Sequence, residues 1–101
     1  MQPFFMPCCY ILYSDSSESF YVGSTVLEAS ERLEQHNSKY YPNKFTARGI
    51  PWKLFFVIEC DSISQARKIE LHIKSMKSKK YLFNLTTYPD MVISLKERYK
   101  L

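Results

Sequence analysis

Cys8-Cys9-Tyr10-Ile11-Leu12-Tyr13, then Ser14-Asp15-Ser16-Ser17-Glu18, then Ser19-Phe20-Tyr21-Val22-Gly23: this stretch decides the fold. The first part is a short β-prone run, the middle is polar, and the last is a second β-prone run stopped by glycine. The pattern predicts an antiparallel hairpin. On its adjacent strands Tyr10 and Tyr21 can share one face, whereas the neighbours Cys8 and Cys9 point to opposite faces. Thr25-Val26-Leu27-Glu28 follows with capping-box spacing. It predicts a helix opened at Thr25, with Val26, Ala29 and Leu33 on one side, ending near Asn37.

Beyond this helix, residues 38–51 read as a polar, basic connection containing Pro42, Gly49 and Pro51. Trp52 to Cys60 is the longest apolar strand and is expected to be the best-buried element of the sheet. Ser62 and Gln65 repeat the capping-box spacing and open a helix over 62–76, with apolar contacts at Ala66, Ile69, Ile73 and Met76. Tyr81, Leu82 and Leu85 predict a third helix beyond Ser78. Pro89-Asp90 starts a last one that uses Met91, Val92 and Leu95. The order is ββαβα plus C-terminal helices: an α+β fold, with a small three-stranded antiparallel sheet flanked by helices. The 101 residues are expected to form one domain, 1–101, with a modest core.

The net charge is +4, and its distribution says more than its size. From Gln35 to Ile58 there is no acid, while Lys39, Lys44, Arg48 and Lys53 occur there with Tyr40, Tyr41 and Trp52. Mixed basic and aromatic surface is the usual footprint of a phosphate-backbone binder, although a solvated lysine face gives the same composition. The N-terminal Met-Gln-Pro-Phe-Phe-Met-Pro has no basic region, and the apolar run up to Ser14 is too short for a membrane span. Cys8, Cys9 and Cys60 form an odd, unpatterned set, which reads as reduced strand cysteines of a cytoplasmic protein without membrane contact.

Polar residues placed on this frame form a constellation. Arg32 and His36 sit four apart and project from one side of the first helix. Glu70 stands on the edge of the buried stripe of the second, four residues after Ala66. It is the only acid between Asp61 and Asp90, with Arg67, Lys68, Lys74, Lys77, Lys79 and Lys80 around it. A carboxylate held half out of water is costly unless it binds something. Two readings stay open: a buried ion pair with Arg67 or Lys74, or a metal ligand facing an anionic substrate. The others have plainer readings too. Tyr10 and Tyr21 could be ordinary strand aromatics, Arg32 could pair with Glu28, and His36 could simply sit at a helix C-terminus. The Lys77–Lys80 cluster could be a solvated face, and His72 receives no role.

The ordered set resembles a GIY-YIG nuclease domain, of the small stand-alone kind related to the N-terminal nuclease of UvrC-type repair proteins. The pieces are Cys9-Tyr10-Ile11; Tyr21-Val22-Gly23, eleven residues after Tyr10; and Arg32-Leu33-Glu34-Gln35-His36-Asn37. Lys44-Phe45-Thr46-Ala47-Arg48-Gly49, Trp52-Lys53-Leu54 and Ala66-Arg67-Lys68-Ile69-Glu70 continue it, so the resemblance covers about residues 8–80. The glycine of the first motif is replaced by Cys8, which removes backbone room and no chemistry. Many relatives carry an Asn after the catalytic Glu; here Asn84 falls in a predicted helix.

The resemblance implies a DNA endonuclease using one divalent metal, Mg2+ or Mn2+. Glu70 would be its single protein ligand, consistent with the preference of magnesium for oxygen donors and retained waters. Arg32 would hold the scissile phosphate with its planar fork. Tyr10 or Tyr21 would serve as base, with His36 close by; free tyrosine ionises near pH ~10, so such a base needs cationic neighbours. Gly23 would let the backbone turn close to the phosphate, and Lys44, Arg48, Lys74 and Lys77 would contact DNA. The sequence shows no zinc finger or long basic arm. Specificity is therefore expected from DNA structure (duplex, flap or branch) in repair or recombination, with a protein partner as a further source of targeting. The rival class is a module that keeps the fold and binds nucleic acid without cutting it.

Overall fold

The hairpin forms as its pattern requires. In the computed structural model, which describes residues 6–38 and 44–100, β1 (Cys8–Ser14) pairs antiparallel with β2 (Ser19–Thr25). Lys39, Tyr40, Tyr41 and Pro42 of the basic connection lie outside the described residues, as does the side chain of Lys44. The register sets Tyr10 opposite Gly23, Leu12 opposite Tyr21 and Cys9 opposite Ser24. β3 (Trp52–Glu59) pairs antiparallel with the other side of β1, giving the strand order β2-β1-β3. The centre strand is therefore β1. It is also the best-buried strand, in place of the apolar Trp52–Cys60 run, because a central strand is covered on both sides as well as on both faces.

β2 continues past Gly23 to Thr25, so the Thr25 capping box does not form. The Thr25 hydroxyl instead accepts the Leu27 N–H at 2.9 Å, and Val26 is exposed. Helix α1 (Ala29–Asn37) starts one turn later, from Glu28, with no side-chain cap. A short helix, α2 (Lys44–Arg48), follows in the connection. The second capping signal is correct. Ser62 accepts the Gln65 N–H at the start of α3 (Ile63–Met76), and Gln65 turns back to accept the Asp61 N–H. Met76 is exposed, so the buried stripe of α3 ends at Ile73. α4 (Lys79–Thr87) and α5 (Pro89–Arg98) complete the chain where the tail pattern places them.

The sheet has helices on both faces. Cys9, Ile11, Val22 and Ile58 pack with Ala66, Ile69 and Ile73 of α3 and with leucines of α4 and α5. Cys8, Tyr10, Leu12 and Trp52 pack on the opposite face with Ala29 and Leu33 of α1. The adjacent cysteines thus diverge as expected, and all three cysteines are free and buried. Burial pushes the Cys8 thiol up to about 11 and raises that of Cys9, so both stay protonated and inert.

The α1 face is tied down at Trp52. This side chain is buried rather than part of an exposed aromatic surface: its ring lies where a Cβ on Gly49 would be, and its Nε1–H donates to the Thr46 carbonyl at 2.7 Å. Asn37, the last residue of α1, pairs with the Trp52 backbone in both directions. Its Oδ1 accepts the Trp52 N–H at 2.5 Å and its Nδ2–H donates to the Trp52 carbonyl at 2.9 Å. These two bonds fix the end of α1 against the edge of β3. Asn37→Ala should therefore lower stability by about 2 kcal/mol, because it deletes two bonds to part-buried backbone groups. A urea-unfolding midpoint equal to that of the wild type would show that the bonds do not hold the helix.

Candidate nuclease site

The site is built at Gly23. Tyr10 faces it across the hairpin, and a Cβ at Gly23 would lie 2.6 Å from both Cζ and the hydroxyl oxygen of Tyr10. The missing side chain lets the Tyr10 ring lie across β2, which forms one of the two edges of the sheet. The glycine therefore serves ring packing in mid-strand rather than a turn from strand to helix; its φ is an ordinary strand value.

At the far end of that ring three side chains meet. The Tyr10 hydroxyl lies 3.1 Å from Nε2 of His36 and accepts from Nε of Arg32 at 3.4 Å. Arg32 is further steadied by donating from Nη1 to Oε1 of Gln35 at 3.2 Å. Tyr21 joins from β2, its ring centroid 4.6 Å from that of His36 and 6.3 Å from that of Tyr10. Sequence places these four residues together correctly, and α1 presents Arg32 and His36 on one side as their spacing requires.

Burial sorts them. Tyr10 is fully enclosed and His36 is 3% exposed, while Tyr21 and Arg32 are half-buried and reach solvent. Burial, and then the positive charge of Arg32, lower the His36 pKa to about 4. His36 is therefore neutral at pH 7, and its Nε2 can accept the Tyr10 hydroxyl proton.

Glu70 comes from the other face. Ser24, the residue after Gly23, points to the α3 side and donates from Oγ to Oε1 of Glu70 at 2.5 Å. Oε2 receives the Lys74 ammonium, also at 2.5 Å, one turn along α3. The Glu70 side chain is 17% exposed and that of Lys74 48%. Burial, and then the negative charge of Glu70, raise the thiol of Cys9, the residue that the hairpin register sets opposite Ser24. The five residues therefore do not share one face. Tyr10, Tyr21, Arg32 and His36 lie on the α1 side, Glu70 on the α3 side, and consecutive residues Gly23 and Ser24 of the edge strand join the two halves.

A family model for the GIY-YIG catalytic domain matches residues 6–82, which include β1, β2, α1, β3 and α3. The chain belongs to the GIY-YIG family. The family is one of endonucleases, so this is a nuclease-type domain with DNA as its substrate class. No curated protein and no solved structure matches the chain. Within the GIY-YIG domain, Arg48 is exposed on α2, and Lys77 caps α3 in the left-handed conformation with φ 48°. Lys53 is bound to Asp15 at 3.0 Å, an exposed pair that contributes little to stability.

Ser24 was not legible as a site residue. Its only signal is a hydroxyl on a face otherwise apolar, visible once the hairpin register sets it opposite Cys9. The His36 environment yields a pH prediction. His36 ionises near 6.5 when unfolded and near 4 when folded, so between those values the unfolded chain binds more protons. Its contribution to stability is present above pH 6.5 and is lost as pH falls toward 4. Urea midpoints should drop more across that window in the wild type than in His36→Gln. Parallel pH profiles would contradict the buried neutral imidazole.

Proposed function

We propose that this GIY-YIG domain is a divalent-metal-dependent DNA endonuclease, acting on structured DNA in repair or recombination. The observation that carries the reading is the juxtaposition at Gly23 and Ser24. One residue holds the Tyr10–Arg32–His36 cluster, and the next holds the Glu70 carboxylate.

Glu70 suits a hard cation. Its two oxygens are anionic, partly withdrawn from water, and one is already occupied by a positive group, Lys74. Among the described residues no group of three or more His, Cys, Asp or Glu side chains could hold a metal. Glu70 would therefore hold the ion with waters and substrate oxygens, the sparse ligation that magnesium or manganese accepts. When bound, the ion supplies charge stabilisation at the phosphate and at the leaving 3′ oxygen.

The chain's own groups divide the remaining work. Arg32, half-buried and oriented by Gln35 and Tyr10, meets the scissile phosphate with a fixed fork. Tyr21, the more exposed phenol, contacts the attacking water. Tyr10 and neutral His36 form the inner pair, which holds Arg32 in place, and Tyr21 is the group placed to take the proton of that water. Arg48, Lys74 and Lys77 are exposed cations that bind backbone phosphates without reading bases, which supports selection by DNA shape. A second reading draws on the Lys74–Glu70 pair: a carboxylate neutralised by its own helix suits a module that binds DNA and leaves it intact.

The test is cleavage of labelled duplex, flap and branched DNA in Mg2+ or Mn2+ by the wild type and Glu70→Gln. We expect metal-dependent nicking that falls by roughly a hundredfold or more in the variant, the scale of losing one preorganised charge contact in a transition state. Salt-sensitive binding with no cleavage under any metal would favour the non-cutting module. Cleavage undiminished in the variant would remove Glu70 from the site.

A further inference from the structure

The two partners of Glu70 differ in what they can do. Ser24 carries its hydroxyl on a single carbon from a backbone held by the sheet, so it has no long stem on which to withdraw. Lys74 reaches Oε2 on a flexible four-carbon stem, is half-exposed, and can withdraw without disturbing any strand. Its alternative seat lies beside it. A groove of about 260 Å³ runs between the free edge of β2 and the α3–α4 junction, lined by Phe20 and Val22 and by Lys74, Lys77 and Lys79. Among the described residues no acid pairs with Lys77 or Lys79; Lys79 donates to the Glu18 carbonyl at 3.2 Å. Three ammonium groups beside a groove with no acid in its lining suit a phosphodiester backbone.

We propose that Lys74 is a built-in competitor for the metal at Glu70. Without DNA its ammonium neutralises Oε2 and weakens metal binding. When a DNA strand enters the groove, Lys74 exchanges the carboxylate for a backbone phosphate and opens Oε2 to the cation. Both states are charge-assisted N–H···O contacts, so the exchange costs little. It couples the two ligands: DNA raises metal affinity, and by linkage metal raises DNA affinity. Lys74 is thus a positioning residue, and the idea rests on the nuclease reading above.

Two measurements on the full chain test it, neither dependent on turnover. The first is Mn2+ affinity without DNA, read as free Mn2+ by electron paramagnetic resonance. Lys74→Met should bind roughly three- to tenfold more tightly than the wild type, the scale of releasing one partly exposed ion pair. Lys68→Met, which removes a charge from the same helix away from Glu70, should change it less than about twofold, and Lys74→Arg should restore weak binding. The second is DNA binding in chelator, where no cleavage occurs. Glu70→Gln should strengthen binding several-fold in the wild-type background, by releasing Lys74, and have no such effect in Lys74→Met.

Lys74→Met no tighter for Mn2+ than Lys68→Met, or an equal Glu70→Gln gain in both backgrounds, would overturn the proposal. If the wild type still cuts DNA in a Glu70-dependent way, only the Lys74 exchange falls. If no variant binds Mn2+ and Glu70→Gln behaves as the wild type throughout, the nuclease reading falls with it.

Discussion

The site depends on a side chain that is absent. Tyr10 can lie across β2 only because Gly23 stands opposite it, and a single methyl there would overlap both Cζ and the hydroxyl of the phenol. A tyrosine at the centre of a three-stranded sheet would otherwise be plain core. The glycine turns it outward along the sheet plane, so that the hydroxyl arrives where Arg32 and His36 of α1 can reach it. The hairpin register, the edge position of β2 and the docking of α1 all act on this one contact. The two bonds between the Asn37 side chain and the Trp52 backbone then hold the end of α1, with His36 next to it, at the right height.

The same edge solves a problem of solvation. A phosphodiester carries charge that a helix-covered face cannot admit, and a buried carboxylate is costly beside an apolar core. Putting the phenol cluster on one face and Glu70 on the other keeps each half packed. The two meet at Gly23 and Ser24 of the edge strand. Within the cluster, burial decides roles as much as identity does. It holds His36 neutral and encloses Tyr10, leaving Tyr21 and Arg32 as the groups of the cluster that reach solvent.

Periodicity and turn chemistry made the hairpin, the order of elements, α3 with its Ser62 cap, and both tail helices legible. Failures occurred where tertiary pairing overrode local pattern. Thr25 carries a good capping box but remains in β2, because pairing with Cys8 extends the hairpin to its end. The run Trp52–Cys60 looks like a central strand because it is the longest apolar run of the chain, with charges only at Lys53 and Glu59 near its ends. A register shift opposite Ile11 and Leu12 is what lets Trp52 and Val57 face one core while Phe56 and Ile58 face the other, so simple alternation is lost at an edge. The site followed the same division. Tyr10, Tyr21, Arg32 and His36 come together through hairpin and helix spacing, which sequence displays. The placement of Glu70 on the opposite face, its bond to Ser24 and the true use of Gly23 all depend on strand register.

On the function proposed above, Glu70 and the tyrosine cluster form one metal-dependent site astride the edge of β2. Paramagnetic broadening of backbone and imidazole resonances during a Mn2+ titration tests this most directly. Broadening should appear first at Gly23, Ser24, Glu70 and Lys74, extend to the His36 ring, and vanish in Glu70→Gln. Broadening centred on another acid, such as Asp15 or Asp90, with Gly23, Ser24 and His36 unaffected, would contradict it.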